Sequence, residues 1–382
     1  MQILIAPNAF KNSLAADQAA IALAEGLKES GLICSLSCFP IGDGGDGTMK
    51  LLIKHLCLNT VEVNTIDPLG RPIKANYGYD QKTATAYIEM ADASGIRLLA
   101  DNELNPMKAT SQGTGLMIKD ALVRGARYII LGVGGSATVD GACGILSAMG
   151  AKFLDKKGEE LKVSPLELLK LDRIDLSGLD KRIEYCRFTV LTDVKNKLLG
   201  SKGAAFVFGP QKGASVEQQE ILDDFLEHLN YIWTTQLKKD AGRLIGGGAA
   251  GGVAAGLWAM LDAELLNGID YFLKVTDFDK KLIKADLLIT GEGAIDLQTL
   301  DGKGPFGVAY RAKALGLPVI GVAGNVPLQT NEQMDTYFDI LIPTGHGAVS
   351  LEELKKCTAE NLERTGKLIG KFLQFASKKT VK

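Results

Sequence analysis

Ile3-Leu4-Ile5-Ala6-Pro7, Ser13-Leu14-Ala15-Ala16-Asp17-Gln18, Ser35-Leu36-Ser37-Cys38-Phe39 and Gly42-Asp43-Gly44-Gly45-Asp46-Gly47-Thr48 follow one another at the start of the chain. The first reads as a short buried strand, stopped by Pro7. The second opens an amphipathic helix running to about Glu29, with Ser13 as its N-cap. The third is a second strand, and the glycine-rich turn after it leads into a helix over about Met49–Leu56. Strand, helix, strand, helix in this order predicts a parallel sheet.

The same grammar returns near the other end. Ala285–Thr290 reads as a strand, Gly291-Glu292-Gly293 as a turn, Phe306–Leu315 as a helix and Pro318–Ala323 as a strand. Asp339–Pro343 is a further strand, and Leu351–Phe375 a long closing helix. The middle has another texture. Ile73–Tyr79 and Thr83–Met90 look like antiparallel strands, Tyr128–Gly132 and Phe188–Leu191 are strands, 216–239 is a long amphipathic helix and 246–265 an Ala/Gly-rich helix. The expected fold is therefore α/β: a doubly wound domain built from both ends (1–61 with 278–382) and a second α/β domain (62–277) inserted between. The alternative is two sequential domains split near residue 200. A cleft between domains is the expected site.

Composition limits the partners. With 382 residues, the chain buries about three quarters of its unfolded surface and needs no staples. Its 43 basic and 45 acidic residues leave a net charge of −2, which offers no field for nucleic acid or an anionic membrane. The six cysteines form no CxxC and only three histidines exist, so reduced thiols in a cytoplasmic setting are expected and a multi-histidine metal site is not. The first apolar run is too short for a signal peptide, and no stretch has the length of a membrane span.

Four loops join glycines to hydroxyls or carboxylates after an expected strand, where α/β sheets bind ligands. In Asp43-Gly44-Gly45-Asp46-Gly47-Thr48, the glycines admit close backbone approach and the helix start offers free N–H groups. Its two acids would repel a phosphate unless Mg²⁺ lay between them. Gly134-Gly135-Ser136-Ala137-Thr138-Val139-Asp140-Gly141 suits phosphate cradling, although it lacks the GK[ST] of a Walker A loop. Gly291-Glu292-Gly293-Ala294-Ile295-Asp296, with Gln298-Thr299 and Gly302-Lys303, gathers the carboxylates and ammonium that phosphoryl transfer needs. Thr192-Asp193-Val194-Lys195-Asn196 puts Asp193 at a strand end as a metal or base candidate. Lys11 follows the first strand and could reach a phosphate. Each loop also has a plainer reading: a helix cap, tight strand–helix packing or a solvated turn. Two smaller pieces stay open, namely Gly246–Gly252, as close packing or a ligand-facing turn, and His346, best read as a structural histidine.

Taken in order, these segments resemble the bacterial glycerate kinase family, type I. The matching runs are Ile5-Ala6-Pro7 with Phe10-Lys11 and Ser13-Leu14; Asp43-Gly44-Gly45 with Gly47-Thr48; and Ile88-Glu89-Met90-Ala91 with Ala93-Ser94-Gly95. They continue with Gly113-Thr114-Gly115, Gly134–Thr138 with Asp140-Gly141, Phe208–Ala214, and Thr290–Gly293 with Asp296, Gln298-Thr299 and Gly302-Lys303. The resemblance implies phosphorylation of D-glycerate by ATP with Mg²⁺, usually at the 2-hydroxyl. It also implies a flavodoxin-like domain from both chain ends with a second domain inserted. On that basis Asp296 is expected to orient and deprotonate the hydroxyl, with Lys303 and Asp193 also catalytic. Asp43 and Asp193 are expected to hold Mg²⁺. Lys11, Gly134, Gly135, Ser136, Thr138 and Glu292 are expected at the nucleotide. The expected assembly is a monomer or homodimer in the cytoplasm.

The chain departs from the family's usual residues at Asn8 (Asp), Asp46 (Glu), Val139 (Asn), Ala142 (Gly), Ala294 (Arg) and Lys197 (Pro). Losing Arg at 294 removes a bidentate cation, and losing an acid at 8 removes a charge that offsets it. These changes leave open a related hydroxy-acid substrate or a binding protein without turnover. A nicotinamide dehydrogenase explains the glycine loops but not their acids, and no GxGxxG with a downstream acid occurs.

Overall fold

A computed structural model describes residues 1–296, 299, 302–347 and 350–379. The strands are β1 (Gln2–Ile5), β2 (Ser35–Cys38), β3 (Asn59–Ile66), β4 (Pro72–Asp80), β5 (Thr85–Glu89), β6 (Tyr128–Gly132), β7 (Lys152–Leu154), β8 (Arg173–Asp175), β9 (Arg187–Thr192), β10 (Glu264–Asn267), β11 (Leu287–Ala294), β12 (Val319–Asn325) and β13 (Ile340–Pro343). The chain divides into two compact units: Met1–Asp43 with Ile269–Lys382, and Gly44–Gly268.

In the first unit, five parallel strands run in the order β13-β12-β11-β1-β2. Counted within the unit this is 2-1-3-4-5, the flavodoxin-like order, whose switch point lies between β1 and β11. Ile3, Leu4 and Ile5 of β1 are essentially inaccessible to solvent. A strand apolar on both faces is what the middle of a parallel sheet requires. The helices Ala16–Glu29 and Thr358–Lys379 meet closely, because a Cβ on Gly26 would sit 1.8 Å from the Glu363 carbonyl oxygen.

The second unit holds a six-stranded sheet, β10-β9-β6-β5-β4-β3, and a small β7-β8 ladder. β5, β6, β9 and β10 run parallel to one another, while β3 with β4 and β4 with β5 pair antiparallel. The antiparallel pair expected from Ile73–Tyr79 and Thr83–Met90 is β4-β5.

Several local readings change. Unit boundaries fall earlier than the expected 61/62 and 277/278. The helix Thr48–His55 packs on β4 and β5, and Ile269 packs against Gly307. Ser13 does not cap the first helix, whose N-cap is Ala15; its hydroxyl donates to the Lys355 carbonyl instead. The stretch 246–265 is not one helix, since Ala250, Gly251 and Gly252 take left-handed φ before the helix proceeds to Leu261 and β10 follows. The long C-terminal helix is broken at Cys357. Among the described residues no helix is long and apolar enough to cross a membrane, and the six cysteines form no disulfide.

Candidate active site

In the first unit the loops after β1, β2 and β11 bring four of the expected residues into electrostatic contact. Glu292 lies on β11 beside the switch point and is buried. Burial, and then the charge of Asp43, push its carboxyl up to about 7, while Lys303, Thr299 and Lys11 act in the opposite direction. Thr299 ties the two acids of this loop together. Its hydroxyl donates to Glu292 Oε1 at 3.1 Å, the Asp296 N–H donates to the same hydroxyl at 3.1 Å, and its own N–H donates to Asp296 Oδ1 at 3.3 Å.

Asp43 is buried, and its Oδ2 accepts the Asn8 amide at 2.8 Å and the N–H of Gly304 at 3.3 Å. Gly304 begins the helix Gly304–Ala314, so Asp43 also faces that helix's positive end. Asn8 is thus a donor to the acid that the sequence marked as a metal ligand. An Asp at this position would set two carboxylates against each other unless a cation or a proton lay between them. Gln298 lies outside the described residues.

In the second unit the turn after β6 carries Gly134, Gly135, Ser136 and Thr138. It lies backbone to backbone on the Gly44–Gly47 turn. The Gly134 N–H donates to the Gly44 carbonyl at 3.2 Å, and a Cβ on Gly134 would lie 2.5 Å from the Gly45 Cα. Gly135 takes φ +69°, in the left-handed region. The Ala137 N–H donates to the Ser94 carbonyl, and the Gly135 carbonyl accepts from Ile96. Among the described residues, no hydrogen bond uses the N–H of Gly135 or of Ser136. Thr138 lies beneath the turn with a fully buried hydroxyl.

Three side chains hold this region. Glu89, at the end of β5, accepts the N–H of Gly47 and of Met49, the latter at 3.2 Å, and so caps the helix Thr48–His55 from outside. Burial and the Asp46 charge raise its carboxyl to about 8. Asp140 is inaccessible to solvent, and its Oδ2 accepts Ser111 N–H at 2.7 Å, Ser111 hydroxyl at 2.9 Å and Gly144 N–H at 3.2 Å. Lys212, also buried, donates to Ser136 Oγ at 2.9 Å and to the Thr138 carbonyl at 2.7 Å. Asp46 pairs with Arg97 at 2.6 Å, and Arg97 also holds Asp92. Asp193 sits just past β9, half-buried, where Gly44 packs against Leu191 and Thr192.

Sequence reasoning marked Asn8 only as a departure that removes an acid, and gave no role to Glu89, Thr299 or Lys212. Glu89 carried a usable signal, a lone carboxylate closing the apolar run Thr85–Ile88 at a strand's C-terminal end. Lys212 carried none, since a lysine in a Gly/Pro turn ordinarily reads as solvated. The departures separate cleanly. Asn8 touches Asp43, Ala294 pairs in register with Asn325 on β12, and Ala142 takes φ +66° where glycine is usual.

The sequence matches the description of the glycerate kinase family over residues 3–374. The chain belongs to the glycerate kinase family. A Bacillus subtilis (strain 168) glycerate kinase is 41% identical over 376 residues, covering 98% of each chain. An Escherichia coli K12 glycerate 2-kinase is 38% identical over 377 residues, again with 98% of each chain. A crystal structure from Salmonella typhimurium LT2, provisionally described as glycerate kinase 2, is 39% identical, covers 99% of both chains and superposes with a TM-score of 0.81. The family's two-domain α/β fold is therefore this chain's fold.

Proposed function

We propose that this glycerate kinase family enzyme transfers the γ-phosphoryl of ATP directly to the 2-hydroxyl of D-glycerate. The carrying observation is the group at the switch point of the first sheet: Asp43, Lys303 and Lys11 each act on the buried Glu292, and Asp296 is joined to Glu292 through Thr299. Phosphoryl transfer asks for a carboxylate to orient the hydroxyl and cations to offset developing charge, and this group supplies both. The Escherichia coli relative's name, glycerate 2-kinase, supports the 2-phosphate product.

The residues suit the implied cosubstrates. Among the described residues no three acids converge as a metal cage. Mg²⁺ with a nucleotide takes one or two carboxylates and fills the rest with phosphate and water. Asp43 would hold it in the first unit; Asp193, half-buried just past β9, is by itself the metal candidate of the second unit. Bound there, Mg²⁺ supplies positive charge to the phosphate oxygens. The free N–H groups of Gly135 and Ser136 receive phosphate oxygens, and Lys11 and Lys303 balance charge around Glu292.

Asp296 orients and deprotonates the hydroxyl. A second reading gives the base to Glu292, whose carboxyl, held up to about 7, is poised to take a proton near neutral pH. Asp296→Asn and Glu292→Gln separate the two. The base variant loses about 10²–10⁴ in kcat, and the other loses far less. Equal, small losses in both would remove either carboxylate as the base.

A further inference from the structure

Lys212 is buried and, among the described residues, has no carboxylate in contact. It touches a hydroxyl and a backbone carbonyl, and Asp140 is the charged group that acts on it. Burial depresses its ammonium to about 7. Burying an amine in this way costs stability that an apolar side chain of similar length would not. Packing alone does not account for it.

The place of its two hydrogen bonds does. Ser136 Oγ and the Thr138 carbonyl lie on the two sides of Ala137 within the turn after β6, and Lys212 Nζ bridges them. The lysine is itself rigidly delivered. It ends the short Pro210–Lys212 turn, and Gly213, at φ +90°, is so close to Leu104 that a Cβ would lie 2.6 Å from the Leu104 carbonyl oxygen. On the other flank, Asp140 fixes the loop to Ser111 and Gly144. The segment carrying the unused Gly135 and Ser136 N–H groups is thus held by Lys212 at Ser136 and Thr138 and by Asp140 beyond them.

We propose that Lys212 is a positioning residue for nucleotide binding: its ammonium clamps Ser136 to Thr138 and keeps the Gly135 and Ser136 N–H groups aimed at a phosphate. This rests on the assignment of that turn to nucleotide phosphate. Lys212→Met keeps the length and apolar stem and removes the donors. Two readouts are taken on the full-length protein. Hydrogen exchange of the 133–141 segment in the nucleotide-free protein accelerates about tenfold or more, with protection in β1 and β11 unchanged. In the kinase assay, KM for Mg·ATP rises about tenfold or more, while KM for D-glycerate stays within about twofold.

Unchanged exchange overturns the clamp, whatever the kinetics show. Faster exchange with unchanged KM for Mg·ATP, in an enzyme that turns over, removes the turn from nucleotide binding and overturns the proposal. Equal rises in both KM values show a general structural role and also overturn it. A wild-type protein without turnover sinks the kinase reading instead, while the exchange result still decides the clamp. Should Lys212→Met fail to fold, Ser136→Ala removes only the side-chain acceptor, and the same results decide.

Discussion

Replacing Glu292 by glutamine tests the electrostatics of the switch point. In the unfolded chain this carboxyl ionises at its ordinary 4.5, and in the fold it keeps its proton up to about 7. Between these values the folded state binds more protons than the unfolded state. Stability from this residue is therefore fully present below 4.5 and is lost as pH rises to about 7. At about 1.4 kcal/mol per pH unit, the loss reaches about 3 kcal/mol at pH 8 and stays under about 1 kcal/mol at pH 5. The glutamine side chain is neutral throughout and still accepts from Thr299, so the variant escapes the loss. For a unit of this size, the melting transition of the first unit rises by roughly 6–12 °C at pH 8. At pH 5 it is nearly unchanged. Calorimetry from pH 5 to 8 reads this directly, with the two units' transitions fitted separately. A variant no more stable than wild type at pH 8, or equally stabilised at pH 5, would refute the burial and the Asp43 repulsion assigned to Glu292. A stabilised variant is the expected outcome for a charge kept for function rather than for folding.

Three further substitutions check other joints. Asn8→Asp replaces a donor to Asp43 with a second carboxylate, so one of the pair must hold a proton; without Mg²⁺ the protein melts lower than wild type at pH 8 and recovers towards pH 5, and a pH-independent difference would contradict this. Gly134→Ala forces a Cβ to 2.5 Å from the Gly45 Cα. Because backbone meets backbone, it costs about 1–3 kcal/mol or more in urea unfolding of the second unit, and a cost below about 0.5 kcal/mol would show that the two turns are not in contact. Ala84 sits at φ +53° in the turn before β5, so Ala84→Gly stabilises by about 1 kcal/mol, and destabilisation would contradict the left-handed assignment.

The doubly wound domain was legible because its signals are local. Ile3–Ala6 and Pro318–Ala323 are short apolar runs ended by Pro or Gly, the pattern of buried parallel strands. The pairing of the two chain ends followed from their repeated strand–helix grammar. The break at Ala250–Gly252 was legible only as the open alternative of close packing or a turn at Gly246–Gly252, and the strand β10 was not legible. Alanine-rich sequence favours helix, and the left-handed turn is imposed by contact with the distant Thr138 and Val139 backbone, against which Gly251 packs. The contacts of Lys212 with Ser136 and Thr138 were hidden for the same reason, since they join residues more than seventy positions apart. Glycines and acids show where loops come together, but not which side chain holds them there.

Phosphorus NMR of the purified protein with D-glycerate and Mg·ATP tests the central claim most directly. The account predicts that the ATP γ signal declines as a 2-phosphoglycerate signal grows at equal rate. Growth of the 3-phosphate instead, or no glycerate phosphate at all, would contradict it.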